Sequence, residues 1–200
     1  MPSPLPPGLV RLGAPLPPGV HEEVRALWRC GRLVPAGALL LEGGADLGPL
    51  TPDEHVSLRV PGAYAAVRVP TGSSTVLAAA VRTARLATPA GTRQDVLVLR
   101  ADPCVHAGRV LLGPPDRARA VEGQAHELDA AAEVRELLLR RLGRLGRAHR
   151  GVDQWRTPLP PWGMRLSRLV RDVLRCVPAG ELTWADDGRT CRLLGVRSPA

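Results

Sequence analysis

The chain has 200 residues, 44% of them hydrophobic, and a formal net charge of +8. That is enough for one good core or two small ones, and basic enough to suit a polyanionic partner. All 27 basic residues are arginine, and Lys, Ile, Asn and Phe are absent; the missing lysine excludes a Walker A phosphate loop, a kinase lysine and Schiff-base or pyridoxal-phosphate chemistry, and the missing Asn excludes N-glycosylation.

Residues 1–19 are rich in Pro and Gly, contain no acid and read as an extended arm, mobile at its start. In "VHEEVRALWRC", Val20, Val24, Leu27 and Trp28 recur at helical spacing. Glu22 and Glu23 stand in the first turn, where the helix dipole favours anions, and Gly31 stops the helix after Cys30.

From about 32 to 113 short apolar runs alternate with Gly, Pro, Thr and Asp. The strand candidates are "GALLLE", "HVSLRV", "AYAAVRV", "STVLAAAVR", "DVLVLR" and "GRVLLG". "DVLVLR" has the continuous Val-rich character of a strand buried on both faces. "STVLAAAVRTARLA" is equally a helix by propensity. The texture predicts a β-rich lobe, a small sandwich or barrel.

Residues 113–119 read as a loop. Beyond it, Leu128, Ala131, Val134, Leu138, Leu142 and Leu145 predict a helix over about 125–146. Its acids come first and its arginines, including Arg140, Arg144 and Arg147, come last, as the macrodipole prefers. Those arginines therefore have a structural explanation. "GVDQWRTPLPPWGM" is a connector whose Trp155 and Trp162 pin it to a core. "RLSRLVRDVLRC" places Leu166, Leu169, Val170, Val173 and Leu174 on one face and Arg165, Arg168, Asp172 and Arg175 on the other, with Pro178 preventing continuation. "GELTWADDGRTCRLLGV" reads as a β-hairpin turning at Asp187-Gly188.

Helix, connector, amphipathic helix and hairpin is a winged-helix-like order, in which a basic helix meets a groove and the hairpin touches backbone. Arg165, Arg168, Arg171 and Arg175 would line that helix, and Arg189 and Arg192 the wing. Arginine forks match phosphate oxygens and guanine edges. The same order also serves a small α+β lobe that packs against protein. A GC-rich coding sequence, which would favour Arg over Lys, gives the arginine excess a compositional cause beside the functional one.

No catalytic motif is expected. Cys104 and His106 in "DPCVHAG" form a Cys-x-His pair without further ligands nearby, and His21, His55, His126 and His149 have no metal spacing, so neither metal nor cofactor is predicted. Cys30, Cys104, Cys176 and Cys191 are too far apart for a disulfide scaffold. No stretch reaches the ~20 apolar residues of a membrane span, and the N-terminus lacks a signal-peptide core. The expectation is a soluble intracellular protein, cytoplasmic or nuclear, with reduced thiols.

"VPAGALLLEGG" followed by "VPGAYAAVRVPTGSST" is loosely similar to the dUTPase and dCTP-deaminase group, in which a Pro-Gly strand leads into an Arg-Ser loop. The similarity covers residues 33–113 and implies a β-barrel. Pro70-Thr71 stands where that group has Arg-Ser, and its Gly-x-x-Asp-x-x-Tyr segment does not follow, so the chain is not assigned to it.

The sequence thus predicts an α+β protein. A Pro-rich arm (1–19) precedes a short helix and β-rich lobe (20–119), and a helical lobe ending in a hairpin (120–200) follows. The expected role is a non-enzymatic binding or assembly module that contacts nucleic acid, another polyanion or a protein. Competing readings are a degenerate or unrecognised enzyme on a dUTPase-like barrel, and a translated GC-rich frame without selected function.

Overall fold

The computed structural model describes residues 8–44, 55–61, 66–86, 88, 93–113, 116–122, 135–139 and 160–197, with backbone alone at 66–67 and 135–139. It is an α+β chain with two antiparallel sheets in two compact units, Met1–Pro103 and Cys104–Ala200.

The first unit is built on a five-stranded sheet in the order β1-β2-β5-β3-β4. Its strands are β1 (Leu9–Arg11), β2 (Gly37–Leu40), β3 (His55–Arg59), β4 (Ala66–Pro70) and β5 (Val96–Arg100). β5 lies between β2 and β3, and Val96 to Leu99 are all buried, as the continuous apolar run predicts. Among the described residues the sheet is open, with β1 and β4 at its edges, rather than a closed barrel. Helix α1 (Glu22–Cys30) forms where the periodicity places it and ends at Gly31, whose φ of 47° suits a residue without Cβ. Helix α2 (Ser74–Leu86) takes the segment that strand and helix propensity contest. Leu77 and Val81 of α2 pack on Leu40, Val56, Leu58, Val69, Val96 and Val98. That many buried side chains, each contributing about 1.5–3 kcal/mol, outweighs a strand's local claim on the segment.

α1 covers the opposite face, where Val20 and Val24 meet Leu39. A buried ion pair crosses this layer, with Arg59 Nη2 2.7 Å from Glu23 Oε1 and both side chains almost inaccessible. Glu23 therefore does more than complement a helix dipole. The Pro-rich arm is partly sheet: Leu9, Val10 and Arg11 pair with Leu40, Leu39 and Ala38. Trp28 Nε1 donates to the Ala14 carbonyl at 3.0 Å, and Arg93 Nη1 to that of Pro18 at 2.9 Å. Backbone pairing and these two long side chains hold what composition alone reads as a tether. Residues 1–7 lie outside the described residues.

The second unit holds β6 (His106–Leu112), β7 (Asp116–Glu122), β8 (Arg135–Leu139), α3 (Pro161–Val173), β9 (Gly180–Asp186) and β10 (Cys191–Arg197). Its sheet order is β10-β9-β6-β7-β8. "GRVLLG" thus belongs to this sheet rather than to the first lobe. Two further expectations are corrected. The loop expected through Arg119 is strand β7 from Asp116 on, with Ala118 and Ala120 buried and Arg117 and Arg119 exposed. The helix expected over 125–146 is strand at Arg135–Leu139, in register with Asp116–Ala120. Leu137 to Leu139 satisfies either period, and ladder bonds along β7 outweigh the helical preference of Arg, Glu and Leu. The remainder of that helix, with Arg140, Arg144 and Arg147, and the connector's Trp155 lie outside the described residues.

α3 begins at Pro161, a favoured first helical residue, so Trp162 opens the helix instead of closing a loop. Its apolar stripe of Trp162, Leu166, Leu169, Val170 and Val173 is buried. The β9–β10 hairpin forms, but its turn centres one residue later than expected. Asp187 N donates to the Thr190 carbonyl at 3.2 Å, leaving Gly188 (φ 89°) and Arg189 as the central pair. Asp187 Oδ1 accepts from the backbone N–H groups of Arg189 (2.7 Å) and Thr190 (2.6 Å), which fixes that register.

Candidate functional site

The six arginines singled out from the sequence all fall in the second unit, on α3 and its following hairpin, and they divide into different environments. Met164, Arg168, Arg171 and Arg175 recur every three or four residues along α3 and its C-terminal turn, and all four are exposed. Spacing of this kind puts them on one outward stripe. Arg175 Nη1 lies 3.6 Å from Asp172 Oδ1, a solvent-exposed pair one turn apart. No acid stands in the helix's first turn. Arg189 is exposed at the hairpin turn. Arg192 points to the other side of the sheet: its neighbours Cys191 and Leu193 are buried under α3, while Arg192 alternates outward.

Arg165 is separate from the stripe. Its Nε donates to Asp186 Oδ1 at 2.6 Å and its Nη2 to Oδ2 at 2.7 Å, a bidentate pair between α3 and β9. Because α3 starts at Pro161, Arg165 stands beyond the first turn, where the dipole's opposition to a cation has faded. Asp186 is inaccessible to solvent. Burial alone would push its carboxyl up, but the hydrogen bonds and charge of Arg165, with bonds from Cys191 and the Gly188 N–H, hold it below its ordinary value. The same hydrogen bond raises the Arg165 guanidinium pKa.

Beside this pair, His106, Trp162 and Trp184 form a continuous stack, with ring centroids 5.5 Å apart for His106–Trp162 and 5.7 Å for Trp162–Trp184. His106 Nδ1 is 3.8 Å from Asp186 Oδ2, too far for a hydrogen bond. Cys191 Sγ contacts Asp186 Oδ1 at 3.5 Å, and burial together with the Asp186 charge pushes the thiol pKa well up, leaving it protonated. A buried thiol beside an anion is poorly placed to be a nucleophile. Cys104 Sγ contacts the His106 carbonyl at 3.2 Å, so the Cys-x-His pair turns its sulfur to backbone. Among the described residues no group of three or more His, Cys, Asp or Glu is arranged to hold a metal ion.

The far face of the second sheet is a further basic surface, one that the sequence reading does not anticipate. There β7 presents Arg117 and Arg119, β6 presents Arg109, and β10 presents Arg192 and Arg197. A signal for it exists in "DRARAV", whose strict alternation of Arg and Ala has the period of a half-buried strand.

Comparison with protein-family models, curated proteins and solved structures finds no match to the chain. Among the described residues no helix is long and apolar enough to cross a membrane.

Proposed function

We propose that the protein is a non-enzymatic binding module whose second unit contacts nucleic acid through α3. The exposed stripe of Arg168, Arg171 and Arg175 is the observation that carries this reading. Arg165 does not belong to the binding surface, because its guanidinium is committed to Asp186. An α-helix fits the major groove, and three guanidinium groups one turn apart can follow a line of phosphates or reach base edges. Of the winged-helix-like order this reading retains α3 followed by a hairpin, with Arg189 at the turn available to touch backbone.

Charge distribution supports the choice of unit. Residues 104–200 carry seventeen arginines against eleven acids, whereas residues 1–103 carry ten against eight. Codon bias explains why these cations are Arg rather than Lys; it does not explain three of them on one solvent-facing stripe. An intracellular location belongs to the same proposal. Salt-titrated anisotropy of the full chain with duplex DNA, single-stranded DNA and RNA tests it. Binding that weakens linearly in log salt supports the reading, and no binding at low salt by a cooperatively folded protein refutes it.

A further inference from the structure

Met164 stands in the N-terminal half of the α3 stripe and is 50% exposed. A single exposed apolar residue needs no explanation by itself. Its position does. At about 3.6 residues per turn, Pro161, Met164, Arg168 and Arg171 fall within an arc of about 80° on the outward side of α3, and all four are exposed. The stripe is thus apolar where the helix begins and cationic beyond. Arg168 and Arg171 reach solvent, and among the described residues neither is paired with an acid.

The turn that carries Met164 is firmly held. Two residues before it, Trp162 lies in the stack between His106 and Trp184, and in the next position Arg165 is tied by two hydrogen bonds to Asp186. Met164 is therefore presented from backbone anchored on both sides, which lowers the ordering cost of a contact. Charge also turns this end of the helix toward a polyanion. The first turn holds no acid and carries the positive end of the dipole, whereas Asp172 stands near the C-terminus, 3.6 Å from Arg175.

We infer that α3 enters the major groove of B-form DNA by its N-terminal half, and that Met164 reads the C5-methyl group of thymine there. This rests on the nucleic-acid reading of α3 and names the class of nucleic acid. Major-groove base edges offer hydrogen-bonding groups and one apolar group, the thymine methyl. A thioether donates no hydrogen bond and accepts only weakly, so the methyl is its match. Helices that read this groove contact bases through their N-terminal residues. Arg168 and Arg171 follow Met164 by about 6 and 10.5 Å along the axis, which sets their long side chains toward the phosphates of a groove about 12 Å wide. Duplex RNA does not fit this arrangement, because its major groove is too deep and narrow for side chains to read.

The test uses the full chain and fluorescent duplexes of one sequence: DNA, the same DNA with deoxyuridine in place of every thymidine, and RNA. Wild type should bind the thymine duplex roughly fourfold more tightly than the uracil one, the worth of one buried methyl, and the RNA duplex more weakly than either. Met164→Ala should bind the two DNA duplexes alike, with a wild-type log–log salt slope, since no phosphate contact is lost. Equal binding of thymine and uracil duplexes by wild type overturns the inference. So does a thymine preference that persists in folded Met164→Ala, or RNA bound as tightly as DNA. Salt-dependent duplex binding that Arg168→Gln/Arg171→Gln weakens, without any thymine preference, leaves the α3 reading standing alone. Absence of all duplex binding by folded wild type removes both.

Discussion

Arg165 and Asp186 are joined by two hydrogen bonds, and their environments differ: the carboxylate is fully buried, while 22% of the arginine side chain reaches solvent. The two partners are therefore not equivalent to remove. Arg165→Leu strands a buried anion and should cost about 3–5 kcal/mol, whereas Asp186→Asn leaves a guanidinium that can turn to water and should cost less. Urea unfolding of both variants measures the difference. Equal losses would mean the carboxylate is not buried as described.

The same pair sets an acid limit. The Asp186 pKa is lowered in the fold from an ordinary 3.8, so its stabilising contribution is present above that value and is lost as pH falls through the lower folded value. In Arg165→Leu only the Cys191 and Gly188 N–H bonds oppose the effect of burial on the carboxyl, and destabilisation should begin at higher pH than in wild type. Thermal melts between pH 2 and about 6 read the shift.

Cysteine reactivity should follow burial. Cys30 and Cys191 are buried, and Cys104 and Cys176 are partly exposed. Alkylation of the native protein followed by peptide mapping should label Cys104 and Cys176 first, with Cys191 protected until unfolding because its thiol pKa is raised. Rapid native labelling of Cys191 would be incompatible with the packing of β10 under α3.

Gly108 is a backbone requirement rather than a flexible point. It faces the second sheet's core opposite Ala120, and a Cβ there would collide with the Arg119 carbonyl and Ala120 Cα. Gly108→Ala should destabilise by about 1–3 kcal/mol, the usual cost of overpacking, visible as a lower urea midpoint.

Much of the first unit is legible in the sequence. The α1 periodicity, the Gly31 stop and the doubly buried β5 depend on local pattern and appear as read. The Glu23–Arg59 pair does not, because 36 residues separate partners that only the α1–sheet packing brings together. Leu137 to Leu139 misleads for the opposite reason: a short apolar run fits both periods, and the deciding partner, β7, itself reads as loop in sequence. Arg165 shows how a site can be half legible. Its place beside the other α3 arginines suggests a ligand contact, yet the residue that keeps it there is Asp186, which in sequence reads as part of a turn.

Solvent-facing arginines on α3 are proposed to bind nucleic acid, while Arg165 holds the fold. The decisive measurement is the log–log salt slope of duplex binding for wild type and for Arg168→Gln/Arg171→Gln, with circular dichroism melts of both. Melting should be unchanged, and the slope should be smaller by roughly 0.9 for each duplex phosphate the variant no longer neutralises. An unchanged slope and affinity in the folded double variant would refute the assignment of α3 as the binding helix.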